Sequence, residues 1–239
     1  VDIFSTDNST NDTDQNISLY VINASDIDGD SVTNISNWYR NATSLTIFNF
    51  AFDTNATTNI TDYSGNQFHA STTANPRWIS NGITGGAYFF NESNTQRIQI
   101  ANNATYLAGN RSFSLEAWFN ETSSPASGAF DYIVCKDPSS GTSGWCLRIA
   151  NPANLTFSLV VGSTSRTVSQ TIGGTTNKTH HVIATWNESN MTLWFDGLIV
   201  DSRAIKGNVN TNTQNVTIGN WNGNSRAFNG TIDTVRMYN

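Results

Sequence analysis

Two adjacent histidines, His180 and His181, are the residues of this 239-residue chain that most directly suggest a catalytic base or a metal site. They lie in the stretch THHVIATWNESNMTLWFDG, residues 179–197, where apolar and polar residues alternate as in β-strands. Neighbouring side chains of a strand point to opposite faces, so the two rings cannot hold one ion together. We expect the stretch to form a hairpin, with strands at 179–186 and 191–196 and with one histidine packed inward.

The two cysteines suggest a different chemistry. Cys135 ends one alternating run and Cys146 begins the next, across a turn rich in Pro, Gly and Ser. In that arrangement they can form a disulfide across a hairpin, provided that the compartment is oxidising. A pair of reduced thiols in the core is the alternative.

Acceptor triplets for N-linked glycans, Asn-x-Ser/Thr, are unusually frequent in this chain. There are eighteen, where a random scatter of the chain's Asn, Ser and Thr would give roughly eight. They begin at Asn8, Asn11, Asn16, Asn23, Asn34, Asn41, Asn55, Asn59, Asn91, Asn103, Asn110, Asn120, Asn154, Asn177, Asn187, Asn190, Asn215 and Asn229. This density predicts a secreted or cell-surface glycoprotein. The alternative is an Asn/Thr-rich β protein that uses these residues in turns and on strand faces.

An acidic segment near the N-terminus, DIDGDSVTN, places Asp26, Asp28 and Asp30 at alternate positions, as at the start of a calcium loop. It differs from an EF-hand, because Ser31 stands where that loop needs glycine and Asn37 where it needs a bidentate glutamate. A tight Asp-Gly turn between two strands explains the segment equally well. Both interpretations stay open at this point.

Composition excludes several classes of function. The net charge of −6 and a pI near 4.8 argue against a nucleic-acid or anionic-membrane partner, since both need clustered Lys and Arg. No apolar run of the sequence approaches the roughly 20 residues of a membrane span, and the first residues lack the regions of a signal peptide. We expect that a signal has been removed or that the chain is a piece of a longer protein.

Short runs of alternating, β-branched and aromatic residues recur along the chain between clusters of Gly, Asn, Asp and Ser. This pattern predicts an all-β fold, an antiparallel jelly roll of two packed sheets. Residues 1–46 hold three candidate strands, which are too few for a sandwich, so we expect an incomplete β module there and a complete domain at 47–239. The open edges of the first module predict that another module or a neighbouring subunit completes it.

From residue 47 onward the order of motifs resembles a known family. The motifs are FNFAFDTN, DYSGNQFHA, GGAYFF, RIQIAN, FSLEAWF, THHVIATW, MTLWFDGLIV, VTIGNW and FNGTIDTVRMYN. In this order they are similar to the laminin-G-like, concanavalin-A-like jelly-roll domains of extracellular multidomain proteins. Residues 1–46 resemble the tail of an immunoglobulin-like module, as in large repeat-containing archaeal surface proteins. The resemblance implies binding of glycans or proteins, sometimes through calcium, and seldom catalysis.

The resemblance also implies particular site residues. In ITDYSGN and GTIDTV it nominates Asp62, Asn66 and Asp233 as calcium ligands, with a plain turn and a hydrogen-bonded strand residue as the alternative. Lectin-like domains stack sugars on exposed aromatic side chains, which points to the loop tryptophans Trp78 and Trp221.

Glucan hydrolases share the jelly-roll architecture, and they need two carboxylates beside the scissile bond, usually spaced Glu-x-Asp-x-x-Glu. The four glutamates of this chain, none of which begins that spacing, are Glu92, Glu116, Glu121 and Glu188. Glu116 in SLEAWF is the best single candidate, but it has no acidic companion on its strand face. We therefore do not expect an enzyme.

Together these features predict an extracellular, heavily N-glycosylated adhesive or structural subunit of a cell-surface assembly or filament. Its partners would be copies of itself or neighbouring modules of a longer protein, joined by strand addition through the N-terminal strands. A calcium-dependent, lectin-like carbohydrate-binding module is the alternative.

Overall fold

The computed structural model describes residues 2–5, 17–22, 24–29, 32–92, 95–104, 111–137, 141–151, 153–173, 176–222 and 227–239. Within these ranges the chain forms β-strands and no α-helix. The strands are β1 (Asp2–Ser5), β2 (Ile17–Tyr20), β3 (Tyr39–Arg40), β4 (Thr43–Ser44), β5 (Thr46–Phe50), β6 (Ala70–Thr73), β7 (Arg77–Ile79), β8 (Ala87–Phe90), β9 (Arg97–Ile100), β10 (Phe113–Glu121), β11 (Phe130–Lys136), β12 (Trp145–Ala150), β13 (Asn154–Val161), β14 (Thr164–Thr171), β15 (Thr179–Trp186), β16 (Asn190–Phe195), β17 (Leu198–Ala204), β18 (Val216–Ile218) and β19 (Gly230–Tyr238). The described ranges hold no helix long and apolar enough to cross a membrane.

The chain divides into two units, Val1–Ser36 and Asn37–Asn239. In the first unit β1 and β2 form an antiparallel pair. The division falls earlier than the boundary that the sequence suggests after residue 46, because the segment from Asn37 is tied into the second unit. The side-chain amide of Asn37 donates to the Ser64 carbonyl at 3.1 Å. The immunoglobulin-like character of the N-terminal residues stays a prediction.

The second unit is a sandwich of two antiparallel sheets, as the sequence predicts. The first sheet has eight strands in the order β17-β16-β15-β10-β19-β8-β7, with β5 also paired to β19. The second sheet has seven strands in the order β14-β13-β12-β11-β18-β9-β6. In both sheets, strands from distant parts of the chain are neighbours, such as β10 and β19 in the first sheet and β9 and β18 in the second. Each sheet therefore depends on pairings between distant segments.

Strand β10 illustrates how the sequence pattern produces the two faces of a sheet. Leu115, Ala117 and Phe119 are buried, whereas Glu116 and Trp118 between them are half-buried and belong to the outer face. This is the period of two that a strand with one covered face requires. The outer face of the first sheet therefore carries a charged and an aromatic side chain side by side.

The core between the sheets is rich in aromatic rings. Its largest fully buried side chains include Phe50, Phe90, Trp145, Phe157 and Trp186. Burial of a large apolar side chain contributes about 1.5–3 kcal/mol, so this layer supplies the main stabilisation of the unit.

The disulfide predicted between Cys135 and Cys146 is present, and it joins directly opposed positions of β11 and β12. It does not lie in the main core. Together with Tyr132 it forms a separate small cluster, against which Trp221 packs. The disulfide therefore fastens one hairpin of the second sheet at its outer face.

The hairpin predicted around residues 179–196 is formed by β15 and β16, and Asp196 and Gly197 lead into β17. Both turn residues have positive φ, 48° and 83°. A two-residue hairpin turn of this kind matches the right-handed twist of the strands, and Asp-Gly suits it because both residues tolerate that backbone region. The sequence pattern identifies this part of the fold closely.

Candidate functional site

A cleft of about 410 Å³ opens beside the outer face of the first sheet. Four parts of the chain meet there: the end of β7 with the β7–β8 connection, β10, the start of β15, and β19. The residues that line it are Ile79, Asn81, Gly82, Ile83, Trp118, Phe119, Asn120, Thr179, Thr231 and Asp233. The lining thus combines an aromatic ring with hydroxyl, amide and carboxylate groups.

Trp118 supplies the aromatic surface of the cleft. In the sheet it lies between His181 of β15 and Asp233 of β19. Its ring packs against the His181 ring at 4.5 Å between centroids, with 31° between the planes. Neighbours on both sides therefore fix the indole in place while it stays half-exposed.

Asp233 holds the loop that forms one wall. Its Oδ2 accepts hydrogen bonds from the main-chain N–H groups of Ile83 at 2.7 Å and Thr84 at 3.3 Å, and its Oδ1 accepts from the Thr234 hydroxyl. Burial raises the pKa of Asp233 above its usual value, while these hydrogen bonds act in the opposite direction.

A β-bulge in β19 gives Asp233 its orientation. The register between β10 and β19 shifts here, and Thr234 has a φ of 46°, a region that β-branched residues rarely adopt. Bulges bend a strand and redirect a side chain, and they recur beside functional sites. The bulge in β19 therefore directs the Asp233 carboxylate towards the loop that forms the wall of the cleft.

Gly82 is required by close packing in the same wall. A Cβ at this position would lie 2.6 Å from the Gly86 carbonyl oxygen and 2.8 Å from Oδ2 of Asp233. Both distances are too short for any side chain, so only glycine lets the loop approach the carboxylate.

A network of charged groups supports Trp118 from the neighbouring positions. Glu116 accepts from Nε2 of His181 at 3.1 Å and from the Tyr238 hydroxyl at 2.5 Å, and Nη1 of Arg236 lies 3.5 Å away. Burial by itself raises the pKa of Glu116, but the two hydrogen bonds and the charge of Arg236 outweigh it, and the net pKa is lowered. Glu116 is thus held ionised.

The two histidines pack as the sequence predicts, one inward and one outward. His180 is buried, stacks on Phe195 at 4.8 Å, and its Nδ1 lies 2.8 Å from Oδ2 of Asp196. His181 is half-buried, and its main-chain N–H donates to Oδ1 of the same carboxylate. The Asp196 carboxylate therefore interacts with the His180 ring and with the main chain of His181. Both histidines serve packing and hydrogen bonding within the hairpin.

A family model described as the concanavalin A-like lectin/glucanases superfamily, Laminin_G_3, matches residues 92–239, more than half of the chain. The chain belongs to this family. A search of curated proteins gives no match.

Several solved structures share the fold of this chain. The receptor-binding domain of botulinum neurotoxin D has a TM-score of 0.63 at 19% identity, over 81% of this chain and 49% of that chain. The binding domain of botulinum neurotoxin DC in complex with SialylT gives 0.61 at 17%, over 81% and 48%. Domain 4 of AbnA, a GH43 extracellular arabinanase from Geobacillus stearothermophilus solved with arabinotriose, gives 0.60 at 18%, over 81% and 91%. At these identities the likeness shows the fold, and the chain spans about half the length of the neurotoxin chains.

The calcium ligands nominated in the concanavalin A-like domain lie in two separate hydrogen-bond networks. Asp62 accepts from the N–H groups of Asn49, Ser64 and Phe68 and from the Ser64 hydroxyl. The side-chain amide of Asn66 donates to main-chain carbonyls, and Asp233 holds the cleft loop. Protein donors already occupy the carboxylates of Asp62 and Asp233, so this geometry does not favour calcium binding. Calcium binding by Asp62, Asn66 and Asp233 stays a prediction.

The N-terminal acidic segment contains a turn in the described residues. Oδ1 of Asp26 accepts from the N–H of Asp28, and Gly29, with a φ of 86°, donates to the Asp26 carbonyl at 3.3 Å. An Asp-Gly turn is therefore present, as in the alternative to a calcium loop, but it does not directly join two strands, since β2 ends at Tyr20 and β3 begins at Tyr39. Asp30 lies outside the described residues.

Neither tryptophan nominated for sugar binding is among the residues that line the cleft, and Trp78 lies in strand β7 rather than in the predicted loop. Nε1 of Trp78 donates to the Phe52 carbonyl at 2.8 Å, and the ring packs on the main core. Trp221 stacks on Tyr132 at 6.1 Å, over the disulfide cluster. Both rings are half-buried and serve packing, and sugar binding by either one stays a prediction.

The N-glycan acceptor asparagines lie at the surface wherever they are described. Those that are exposed are Asn34, Asn41, Asn55, Asn59, Asn91, Asn103, Asn177 and Asn187. Those that are half-buried are Asn120, Asn154, Asn190, Asn215 and Asn229. The buried asparagines among the described residues, Asn49 and Asn220, do not begin an Asn-x-Ser/Thr triplet. The remaining acceptors, Asn8, Asn11, Asn16, Asn23 and Asn110, lie outside the described residues.

Sequence reasoning missed Trp118 as a site residue. The alternation of β10 places it on the outer face, but alternation alone does not show which outer residues border a cleft. That depends on Asp233 and the loop at 80–86, which are distant in sequence. The sequence does show that Trp118 lies between Ala117 and Phe119 on an amphipathic strand, which indicates an aromatic side chain on the outer face.

We expect Glu116→Gln to destabilise the protein by about 1.5–3 kcal/mol at neutral pH, the range for hydrogen bonds to a charged group. The folded state lowers the pKa of Glu116, so its contribution is present above the ordinary value of 4.5 and is lost as the pH falls through the lower, folded pKa. Urea unfolding of wild type and variant across acidic and neutral pH measures this difference. Glu188→Gln, an exposed position, is the control for the charge change. A pH-independent difference would contradict the prediction.

Proposed function

We propose that this chain is an extracellular adhesive module that binds carbohydrate in the cleft at Trp118. The observation that carries the proposal is the composition of that cleft: one half-exposed indole surrounded by amide, hydroxyl and main-chain groups. Sugars present a face of C–H groups and a rim of hydroxyls, and aromatic rings beside polar groups match that pattern.

The dimensions and polar groups of the cleft suit a short saccharide. Its volume of about 410 Å³ lies within the range of small-ligand sites, roughly 300–1,000 Å³. Asn81, Asn120, Thr179 and Thr231 each bring side-chain hydrogen-bonding groups to the lining. Oδ2 of Asp233 is committed to the loop, so it shapes the cleft and the neutral groups are left to bind sugar hydroxyls.

Neighbouring structures support this class of ligand. Domain 4 of AbnA is described in complex with arabinotriose, and the binding domain of botulinum neurotoxin DC in complex with SialylT. The match spans 91% of Domain 4 of AbnA, so that description attaches carbohydrate to this fold, whereas it spans 48% of the neurotoxin chain. For this chain carbohydrate binding is a proposal that the composition of the cleft supports independently.

We propose further that the module acts by binding, without turnover. A glycosidase needs a carboxylic acid with a raised pKa that can protonate the leaving group. Glu116, the nearest glutamate to Trp118 in the strand, has a lowered pKa and is engaged by His181, Arg236 and Tyr238. A carboxylate held ionised in this way is a poor general acid. Burial raises the pKa of Asp233 in the cleft wall, but both of its oxygens accept hydrogen bonds from Ile83, Thr84 and Thr234 and are engaged in holding the loop.

Trp118→Ala is expected to weaken binding of a saccharide identified on a glycan array by at least about tenfold, because the stacking surface is removed. Trp118→Phe retains a ring and keeps most of the affinity. Isothermal titration with the same saccharide measures both variants.

Trp194→Ala is the matched control, since Trp194 is also half-buried in the first sheet but lies outside the cleft lining. It is expected to bind as wild type does. Unchanged binding by a folded Trp118→Ala variant would refute the cleft assignment. Loss of binding in Trp78→Ala or Trp221→Ala would move the site to that tryptophan.

Glycosylation is the second part of the proposal. The distribution of acceptor asparagines supports it, because all those described are accessible at least in part while the buried asparagines are not acceptors. N-glycans at such a density belong to proteins that pass through a secretory route, which supports an extracellular location.

The intact mass of the protein from its native source is expected to exceed the 26.1 kDa of the polypeptide and to fall towards it after enzymatic removal of N-glycans. Peptide mapping is expected to place sugars on exposed acceptors such as Asn55 and Asn187, with Asn49 and Asn220 as unmodified internal controls. A native mass equal to that of the bare chain would exclude glycosylation.

Assembly into a surface structure such as a filament is a second candidate function, and the first unit supports it. A two-stranded sheet is marginally stable by itself. In this unit Val21, Ile22, Ile27 and Val32 expose 41%, 52%, 105% and 45% of their surfaces. Val21 and Ile22 are adjacent in the chain, and exposed apolar side chains that form one contiguous patch are typical of surfaces that another copy or module covers.

We expect the full chain to self-associate with rising concentration in analytical ultracentrifugation and to form ordered assemblies in electron microscopy. Val21→Ser combined with Ile22→Ser is expected to reduce association, because it removes apolar surface from the first unit. Leu198→Ser with Ile199→Ser removes the exposed apolar pair of the edge strand β17 and is the comparison. We expect association to be unchanged in this variant, which assigns the contact to the first unit, whereas a loss here alone would assign it to β17. A chain that stays monomeric at all concentrations would rule out self-assembly.

A further inference from the structure

Two acidic side chains occupy inner-face positions of the sandwich. Glu121 ends β10 of the first sheet and continues its buried alternation after Ala117 and Phe119. Asp131 lies near the start of β11 in the second sheet, two residues before the core residue Ile133. Their exposed fractions are 0% and 3%. A carboxyl group from each sheet is therefore placed where apolar side chains are the rule.

Most of their oxygen atoms lack hydrogen-bond donors. Oε1 and Oε2 of Glu121 and Oδ2 of Asp131 are buried, and no donor in the described part of the chain reaches them. The main-chain N–H of Asn229 donates to Asp131. By contrast, the buried Asp62 accepts from several protein donors. Burial of a carboxylate without donors or a cation costs several kcal/mol, so these atoms require a partner.

The charges around the pair are negative. Burial, together with the charge of Asp131, raises the pKa of Glu121 to about 7. Burial also raises the pKa of Asp131 to about 7, with the Asn229 N–H acting against it and Glu92 in the same direction. Each carboxylate thus experiences repulsion from an acidic neighbour. A cation between them would remove that repulsion.

We infer that Glu121 and Asp131 are ligands of a hard divalent cation, Ca²⁺, that bridges the inner faces of the two sheets. Ca²⁺ accepts six to eight oxygen ligands, and two carboxylates can supply up to about four. In the described ranges no group of three His, Cys, Asp or Glu residues converges, so neutral oxygens and water must complete the shell. A site with few charged ligands binds weakly, in the roughly 0.1–1 mM range of extracellular modules.

This site differs from the calcium residues that the sequence suggests and does not depend on what the Trp118 cleft binds. Sequence reasoning could not find it, because Glu121 and Asp131 lie on different strands and neither stands in a calcium-loop pattern. A catalytic role for the pair is excluded by its burial, since a polymeric substrate cannot reach it.

The test is titration of CaCl2 into chelator-treated protein, followed by isothermal calorimetry and thermal unfolding near neutral pH. We expect a single Ca²⁺ per chain and a melting temperature several degrees higher in millimolar CaCl2 than in EDTA, because the ion binds the folded state. Glu121→Gln and Asp131→Asn are each expected to raise the Kd at least about tenfold and to abolish the thermal shift. Circular dichroism verifies that both near-isosteric variants fold.

Glu188→Gln, the same change at an exposed turn, is the control and keeps both the affinity and the thermal shift. The inference would be overturned if wild-type protein showed no measurable Ca²⁺ binding. Protons would then neutralise the carboxyl groups of Glu121 and Asp131. The inference would equally fail if Asp62→Asn or Asp233→Asn removed the Ca²⁺-dependent shift while Glu121→Gln kept it.

Discussion

The C-terminal strand β19 is the element on which the rest of the concanavalin A-like unit depends. It pairs with β10 on one side and with β8 and β5 on the other, so Tyr238 near the end of the chain lies opposite Thr46. The first sheet cannot be completed until this last strand is in place. Its bulge at Asp233 and Thr234 then fixes the main chain of the loop at 82–84. One local irregularity in a central strand thereby creates the wall of the cleft, which a regular strand would not provide.

Carboxylates of the same chemical type have different roles here because their surroundings differ. Asp62 and Asp233 satisfy main-chain N–H groups and order the loops around them. Glu116 is held ionised by donors on the outer face of the sheet. Glu121 and Asp131 are buried with few donors, and burial together with a neighbouring acid raises the pKa of each. Hydrogen-bond supply, rather than residue type, therefore separates structural acids from candidate ligands.

The local sequence pattern predicted those features of the fold that depend on residues close together in the chain. The alternation in β10, the hairpin of β15 and β16 and the opposed pair Cys135 and Cys146 depend on neighbouring residues, and all of them are present. The prediction was weaker wherever distant segments meet. The segment from Asn37 joins the second unit through contacts with residues near 64, and Trp118 becomes a site residue through the loop at 80–86. Pairings at large sequence separation are set by the whole topology, which periodicity does not encode.

The acceptor triplets and the cleft are physically connected. Trp118 and Asn120 are two residues apart on an extended strand, so both belong to the same face, and both line the cleft. Thr179 and Thr231, which complete the triplets of Asn177 and Asn229, line it as well. A glycan on Asn120 would begin at the cleft itself, within reach of the indole. Occupancy of this one triplet therefore decides whether the aromatic surface is open to an external saccharide or covered by the sugar of the protein itself.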